Sequence, residues 1–486
     1  MEQVKTRIAA SVTRNVDALR REFADNDHIC FHLFESGAGE AAAALAYVNV
    51  LVDQSRLQQH ILPRLSAQAA AASFAEAARA QGIAGPVPDL NEAVRFIANA
   101  GIVLFIEGRT DALGMSLPGY GKRALEEPVL EVNVRGPRTG FIEDLDTNLG
   151  LIYRRLKTPK LKAKSFVVGE ESKTDVAVLY LADQADPEVL REVERRLASI
   201  RQNVVVDSAQ IEEWIQDNPY SPFSQILNTE RPDRVATALN QGKVAILTDG
   251  SPNALLAPSV FTDFLHPSED LYEKFYFANF LRGLRLLTLF ISLFLPSIYV
   301  ALTTFHMEMI PTPLMLTFLS TKAGIPLPTF LEALLMEIAF EVLREASLRL
   351  PRSIGQSVSI VGALIIGEAA VQSGIVSKPV VIVVAMTGIA SFTIPSFSTA
   401  ITLRLLRFPL IIIAAWTGVL GISLCMFAVV LHLSSLTSFG TPYLPTLEWK
   451  RWREWAGRYV MLPIKLRPLS RREAMPAGEG SDHEEG

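Results

Sequence analysis

Few residues in this sequence are spaced for covalent chemistry. The seven histidines are scattered, and the pair four residues apart, His28 and His32, falls at an expected strand, so no metal-binding pair is placed on one helix face. Two cysteines, Cys30 and Cys425, are too few for a thiolate zinc site or a disulfide framework and read as packing residues. Ser36-Gly37-Ala38-Gly39 lacks the further glycine and the basic residue of a phosphate loop. Asp249-Gly250-Ser251-Pro252 follows a predicted strand and reads as a turn. In Thr229-Glu230-Arg231-Pro232-Asp233 the proline ends what precedes it, and Asp233 is placed to cap the helix that follows. No catalytic, cofactor-binding or metal-binding residue is assigned, and no enzyme is expected.

The residue whose surroundings ask most of it is Glu368, a lone carboxylate in the apolar run from Ser353 to Ser377. In hydrocarbon an acid costs a few kcal/mol unless it faces water, meets a partner or carries a proton. It reads either as a functional group or as a hydrogen-bonded packing residue. Around it Gly355, Ser359, Ala363, Gly367, Ala370 and Gly374 recur every three or four residues, the small-residue pattern that lets helices approach closely. The other face presents Ser357, Val361, Leu364, Ile365, Glu368 and Gln372. One packing side and one partly polar side suit a pore-lining helix in a ring, with Val361 and Ile365 as an apolar gate.

Such a helix needs a membrane around it, and the charge layout supplies one. Up to Arg285 the chain carries 31 basic and 38 acidic residues, and after it only 15 and 13. The mildly acidic front half excludes a nucleic-acid partner, which would require a net basic face. Four apolar segments reach spanning length, Leu286 to Met307, Ser353 to Ser377, Pro379 to Leu403 and Phe408 to Leu447, the last broken at Gly440, Pro442 and Pro445. Between the first two, residues 311–352 read as an interfacial or re-entrant segment. Its prolines lead into an amphipathic helix with Leu331, Leu335, Ile338, Val342 and Ala346 on one face. Glu337, Glu341 and Glu345 lie on another, either solvated or paired with Arg344 and Arg349, or part of an ion path. Arg282 and Arg285, with the basic tail from Lys450 to Arg472, hold both ends on the cytoplasmic side. That requires an even number of spans, taken as four, with Arg404 and Arg407 in an outer loop. The start of the chain has no continuous apolar stretch, so no signal peptide is expected.

The front half alternates strand-like and helical runs, an α/β pattern. Strands are expected at Ile29 to Phe34, Leu45 to Val52, Ile102 to Ile106, Phe166 to Val168, Val176 to Leu181, Val204 to Val206 and Val244 to Leu247. The passages Leu51-Val52-Asp53-Gln54 and Leu181-Ala182-Asp183-Gln184 resemble each other, which suggests two similar subdomains about 130 residues apart. The expected organisation is an α/β subdomain over 1–158, a second over 159–275, a transmembrane helical bundle over 276–445, and a basic then acidic tail over 446–486.

Several stretches carry a family resemblance. Arg135-Gly136-Pro137-Arg138, the Arg154-Arg155 pair, SKTDVAVLY (Ser172 to Tyr180), TERPDRVA (Thr229 to Ala236) and DGSP resemble the soluble half of the spore germinant receptor A subunits, the GerA family. YVALTTFHMEMIPT (Tyr299 to Thr312), REASLRLP (Arg344 to Pro351), GQSVSIVGALIIGEAAVQSGIVS (Gly355 to Ser377) and SFTIPS (Ser391 to Ser396) resemble its membrane half. Together they cover Glu127 to Pro445 in order. The resemblance implies the A subunit of a nutrient receptor in the inner membrane of the spore, with N-terminal region and tail cytoplasmic. Its implied partners are a membrane-embedded, nutrient-binding B subunit and a lipoprotein C subunit, with A subunits in a homo-oligomeric ring, a pentamer, that conducts cations. A secondary transporter and a non-conducting signalling scaffold are the alternatives. Two residues depart from the family pattern: Met307 stands where a glutamine usually follows the histidine, and Glu368 where an amide is expected.

Overall fold

The computed structural model describes residues 7–35, 41–67, 71–83, 85–119, 127, 128, 131, 133, 135–349, 367–444 and 460–463. Its front half consists of two units with one topology. The first runs α1 (Val12–Glu22), β1 (Ile29–Glu35), β2 (Ala41–Val48), α2 (54–66), α3 (Ala71–Ala80), β3 (Gly85–Val87), α4 (Leu90–Ala98), β4 (Gly101–Ile106) and β5 (Ala112–Ser116). The second repeats it as α5 (Leu145–Arg155), β6 (Leu161–Val168), β7 (Thr174–Leu181), α6 (Pro187–Ala198), α7 (Ser208–Ile215), β8 (Leu227–Thr229), α8 (Pro232–Asn240), β9 (Val244–Thr248) and β10 (Ala254–Ala257). Each forms a five-stranded antiparallel sheet, ordered β1-β2-β4-β5-β3 and β6-β7-β9-β10-β8. The resemblance between the two Asp-Gln passages marks this repeat: both follow the second strand of their unit, and Asp53 caps α2 by accepting from the Arg56 amide at 3.0 Å. α5 stands to the second sheet as α1 does to the first.

Alternation along the strands sends one side chain set to each face. On one face of each sheet, Leu45, Ile102 and Leu104 are sealed under α2 and α3, and Val178, Val244 and Ile246 under α6 and α7. The opposite faces, with α1, α4, α5 and α8, share one continuous core from Val16 and Val103 to Leu149 and Leu247. The units are also stitched by the Asp27 amide donating to the Ala163 carbonyl at 3.0 Å and the Ser165 amide to the Asp27 carboxylate at 2.8 Å. Val204 to Val206, expected as a strand, is irregular because its backbone bonds to side chains: the Val205 amide donates to Ser172 Oγ, and its carbonyl accepts from Thr174 Oγ1. β3, β5, β8 and β10 escaped the sequence reading, being short or rich in glycine and alanine. Asp233 does not cap α8, since Arg231 is the residue before the helix and Pro232 its first position.

The second half is helical: α9 (Phe275–Thr304), α10 (Thr312–Lys322), α11 (Thr329–Arg349), α12 (367–372), α13 (Lys378–Ser391) and α14 (Phe397–Ser435). Among the described helices, α9 and α14 are long and apolar enough to cross a bilayer. The stretch Pro379 to Leu403 is therefore no single span. It divides at 392–396, where Ser396 Oγ accepts from the Thr399 amide and starts α14. Most of Ser353 to Ser377 lies outside the described residues.

α14 is no straight rod. Gly418, at φ 64° and ψ −144°, leaves the helical region. Ile413 Cγ2 lies 2.7 Å from where a Gly421 Cβ would sit, although eight residues of straight helix span about 12 Å. Thr402 and His432 bond the adjacent residues Pro222 and Ser221, whereas an unbroken helix would hold them about 45 Å apart. The helix is thus a hairpin, with limbs 397–417 and 419–435 and its break at Gly418 rather than at the expected Gly440 and Pro442. Residues 436–444 instead form a strap on the second unit, with β11 (Thr437–Ser438) and β12 (Thr441–Pro442) paired. The end of α9 meets the tip of the hairpin, where His306 Cε1 is 2.7 Å from any side chain added at Gly418.

Candidate functional site

The most heavily constrained polar site lies inside the helical half. Pro296 in α9 has no N–H, so the Ser292 carbonyl four residues earlier loses its helical donor. Arg407, on the first limb of α14, supplies the replacement: its Nε donates to that carbonyl at 2.8 Å, and Nη2 donates to Ser292 Oγ at 3.1 Å. Its Nη1 donates to Glu337 Oε2 of α11 at 2.6 Å, in an ion pair whose side chains are only 4% and 5% exposed. Towards the start of the same limb, Arg404 pairs with Glu341 at 2.5 Å. Beyond Glu337, the fully buried Glu332 accepts from the Ser377 amide at 2.8 Å at the head of α13. Arg344 donates to Ser391 Oγ at 2.9 Å and covers the Phe392 ring.

These pairings fix directions. Glu337 meets Arg407 and Glu341 meets Arg404, so α11 runs antiparallel to the first limb of α14. Of the arginines expected to pair with the acids, only Arg349 does, with Glu345 at the surface. Glu337 turns inward to Arg407, and Glu341, its side chain 45% exposed, reaches Arg404 from the edge; both arginines lie within the bundle and not in a loop. The outward face of α11 is the apolar one, with Leu331, Leu335, Ile338 and Val342 exposed. A buried carboxylate and guanidinium hold each other in place because either alone would be an uncompensated charge, at a cost of about 3–5 kcal/mol. Chemically the network neutralises charge and ties α9, α11 and α14 together.

A second cluster joins the halves. Asp270, 1% exposed, lies between Arg282 at 3.0 Å and Arg285 at 2.9 Å at the base of α9. His266 nearby is held down to about 4 by burial and then by the Arg282 charge. Tyr272 donates to Asp233 at 2.6 Å, and burial followed by that contact pushes its hydroxyl well above the usual phenol range. Arg231, almost wholly buried, donates to Asp233 and to the Glu131 and Pro137 carbonyls, so the TERPDR stretch clamps the connection between the units. A cleft of about 300 Å³ lies between the units, with Asp53, Asp146, Thr147 and Arg154 beside Val50 and Leu151 in its lining.

Of the residues proposed to line a pore, Ser357, Val361, Leu364 and Ile365 lie outside the described residues, as do Gly355, Ser359 and Ala363 of the packing stripe. Glu368 and Gln372 are exposed on α12, where Gln372 Nε2 donates to Glu368 Oε1 at 2.9 Å. Gly367 is buried, and a Cβ there would lie 3.6 Å from Val381. Gly374, at φ 67°, follows α12 in a turn, with nothing in the chain near a would-be Cβ. Among the described residues no three His, Cys, Asp or Glu side chains gather into a metal-holding group. Arg404, Arg407 and Glu332 were missed as site residues. The available signal was charge in otherwise apolar helices, with Pro296 implying an orphaned carbonyl.

Comparison with known proteins places these features in a family. The profile described as "Bacillus/Clostridium GerA spore germination protein" matches residues 17–473. An uncharacterized membrane protein, YfkQ, of Bacillus subtilis is 47% identical over 348 residues, covering 72% of this chain and 68% of its own. Spore germination protein A1 of the same organism is 42% identical over 79% of this chain and 80% of its own length. Spore germination protein B1 is 33% identical over 95% and 97%. Among solved structures, the N-terminal domain of the A subunit of the Bacillus megaterium spore germinant receptor GerK3 aligns at TM-score 0.40 and 24% identity, over 53% of this chain and 99% of that one.

Proposed function

This chain belongs to the Bacillus/Clostridium GerA spore germination protein family, and from that premise we propose that it is the A subunit of a nutrient-sensing germinant receptor whose helical half forms a gated cation channel. Membrane-embedded B and lipoprotein C subunits complete the receptor in the inner membrane of the spore, with the α/β half and the tail on the cytoplasmic side. The observation that supports an embedded, water-excluding bundle is the Glu337–Arg407 pair, sealed inside helices whose outer faces are apolar. In this reading A subunits assemble as a ring, a pentamer. The 353–377 segment lines its axis, with Val361 and Ile365 as the dewetting gate and Glu368 as a ring of negative charge that draws cations. The 311–352 segment packs alongside and does not line the path. The test is the purified protein in liposomes. Passive cation flux that rises in Val361→Ala supports the channel, whereas substrate-coupled flux would make it a transporter and no flux a signalling scaffold.

A further inference from the structure

The loop between α7 and β8 is rigid, and it is built around one outward-facing aromatic. The Asn218 amide donates to Gln225 Oε1 at 2.9 Å, and Gln225 Nε2 returns a bond to the Asn218 carbonyl at 2.7 Å. The Tyr220 amide donates to Asn218 Oδ1 at 3.1 Å. The next three residues are docked on the helical half. Ser221 Oγ meets His432 Nε2 at 3.0 Å, the Pro222 carbonyl accepts from Thr402 Oγ1 at 2.5 Å, and the buried Phe223 ring lies 6.1 Å from that of His432. The loop thus sits across both limbs of the α14 hairpin at their open end. Tyr220, immediately before these contacts, is 95% exposed, while its backbone is held by a closed set of hydrogen bonds.

An ordered aromatic left uncovered beside two apolar limbs calls for a solvent that is apolar at one level and wet at the next. We infer that Tyr220 is a foot by which the second α/β unit rests on the lipid surface, its ring among the upper acyl chains and its hydroxyl among the headgroups. The depth fits: Thr402 precedes the intramembrane Arg407 by five residues, or about 7.5 Å of helix, so the loop lies just above the buried charges. Lipid is the occupant because this surface adjoins the two limbs of α14, whose outer faces are apolar. The inference rests on the reading that those limbs cross the bilayer.

Spin labelling of the full chain in nanodiscs tests it. With Cys30→Ser and Cys425→Ser as background, nitroxides are placed by Tyr220→Cys, by Val206→Cys on the exposed surface of the second unit, and by Leu424→Cys on the exposed face of the second limb. Collisions with oxygen, which partitions into lipid, are compared with collisions with a water-soluble nickel chelate. The label at 220 is expected to show higher oxygen and lower nickel accessibility than the label at 206, shifted toward the values at 424. Values at 220 equal to those at 206 would overturn the inference, because the side chain would face water. Protection from both reagents would also overturn it, by showing a protein partner over Tyr220. A water-exposed label at 424 would instead reject the membrane placement itself and take the inference with it.

Discussion

In the α/β half, Leu104 and Ile246 are sealed between helix and sheet while the Lys160–Asp183 pair lies at the surface. In the helical half, Glu332, Glu337 and Arg407 are sealed and Leu420, Leu424 and Trp416 face outward. The same rule produces both, since each side chain class goes where its solvent is. In water the apolar groups leave the surface; in hydrocarbon a charge is costly, so it turns inward and must find a counter-charge there. Both halves bury leucine and valine, and in the helical half the Glu337–Arg407 pair adds a contact that fixes which faces of α11 and α14 meet.

The contrast gives its largest prediction at Glu337. Glu337→Gln leaves Arg407 buried without a counter-charge and is expected to lower the stability of the detergent-solubilised chain by about 3–5 kcal/mol, read by thermal unfolding. Lys160→Met, which breaks a pair whose side chains are 60% and 28% exposed, is expected to cost less than about 1 kcal/mol. Equal losses would mean that burial does not set what these ion pairs contribute.

The junction gives the next effect. His266 is held neutral, with its protonation moved from 6.5 down to about 4 by burial and then by Arg282. The unfolded chain takes up that proton first, so the stability His266 contributes is fully present above pH 6.5 and is lost as pH falls toward 4. His266→Gln should flatten the stability profile in that window, and an unchanged profile would show that another group governs acid sensitivity.

The smallest effect sharpens the role of Pro296. Pro296→Ala restores an N–H that can serve the Ser292 carbonyl, so Arg407→Gln in that background should cost about 1 kcal/mol less than in the wild type. Additive losses in the double variant would mean that Arg407 acts only as a counter-charge to Glu337.

Much of this plan was legible in the sequence. Charge loading separated the halves, and strand-like alternation with the repeated Asp-Gln passage pointed to two similar α/β units. Less legible was where helices fold back. Gly440 and Pro442 are strong breakers by composition, yet Gly418 makes the turn because only a residue without a Cβ fits against His306 there, a contact between distant segments. Periodicity likewise separated Leu331, Leu335, Ile338 and Val342 from Glu337 and Glu341, but it cannot say which face points inward when the surroundings are apolar. Arg404 and Arg407 looked like loop residues because their partners lie far away in sequence, on α11.

Charge reversal across the central pair tests the account most directly. Glu337→Arg and Arg407→Glu are each expected to abolish a folded, monodisperse protein in detergent, since each buries two like charges. The double variant should recover most of the wild-type melting temperature, because the pair is restored with its ends exchanged. Single variants that melt like the wild type, or a double variant no better than either single, would contradict the claim that a buried counter-charge organises the helical half.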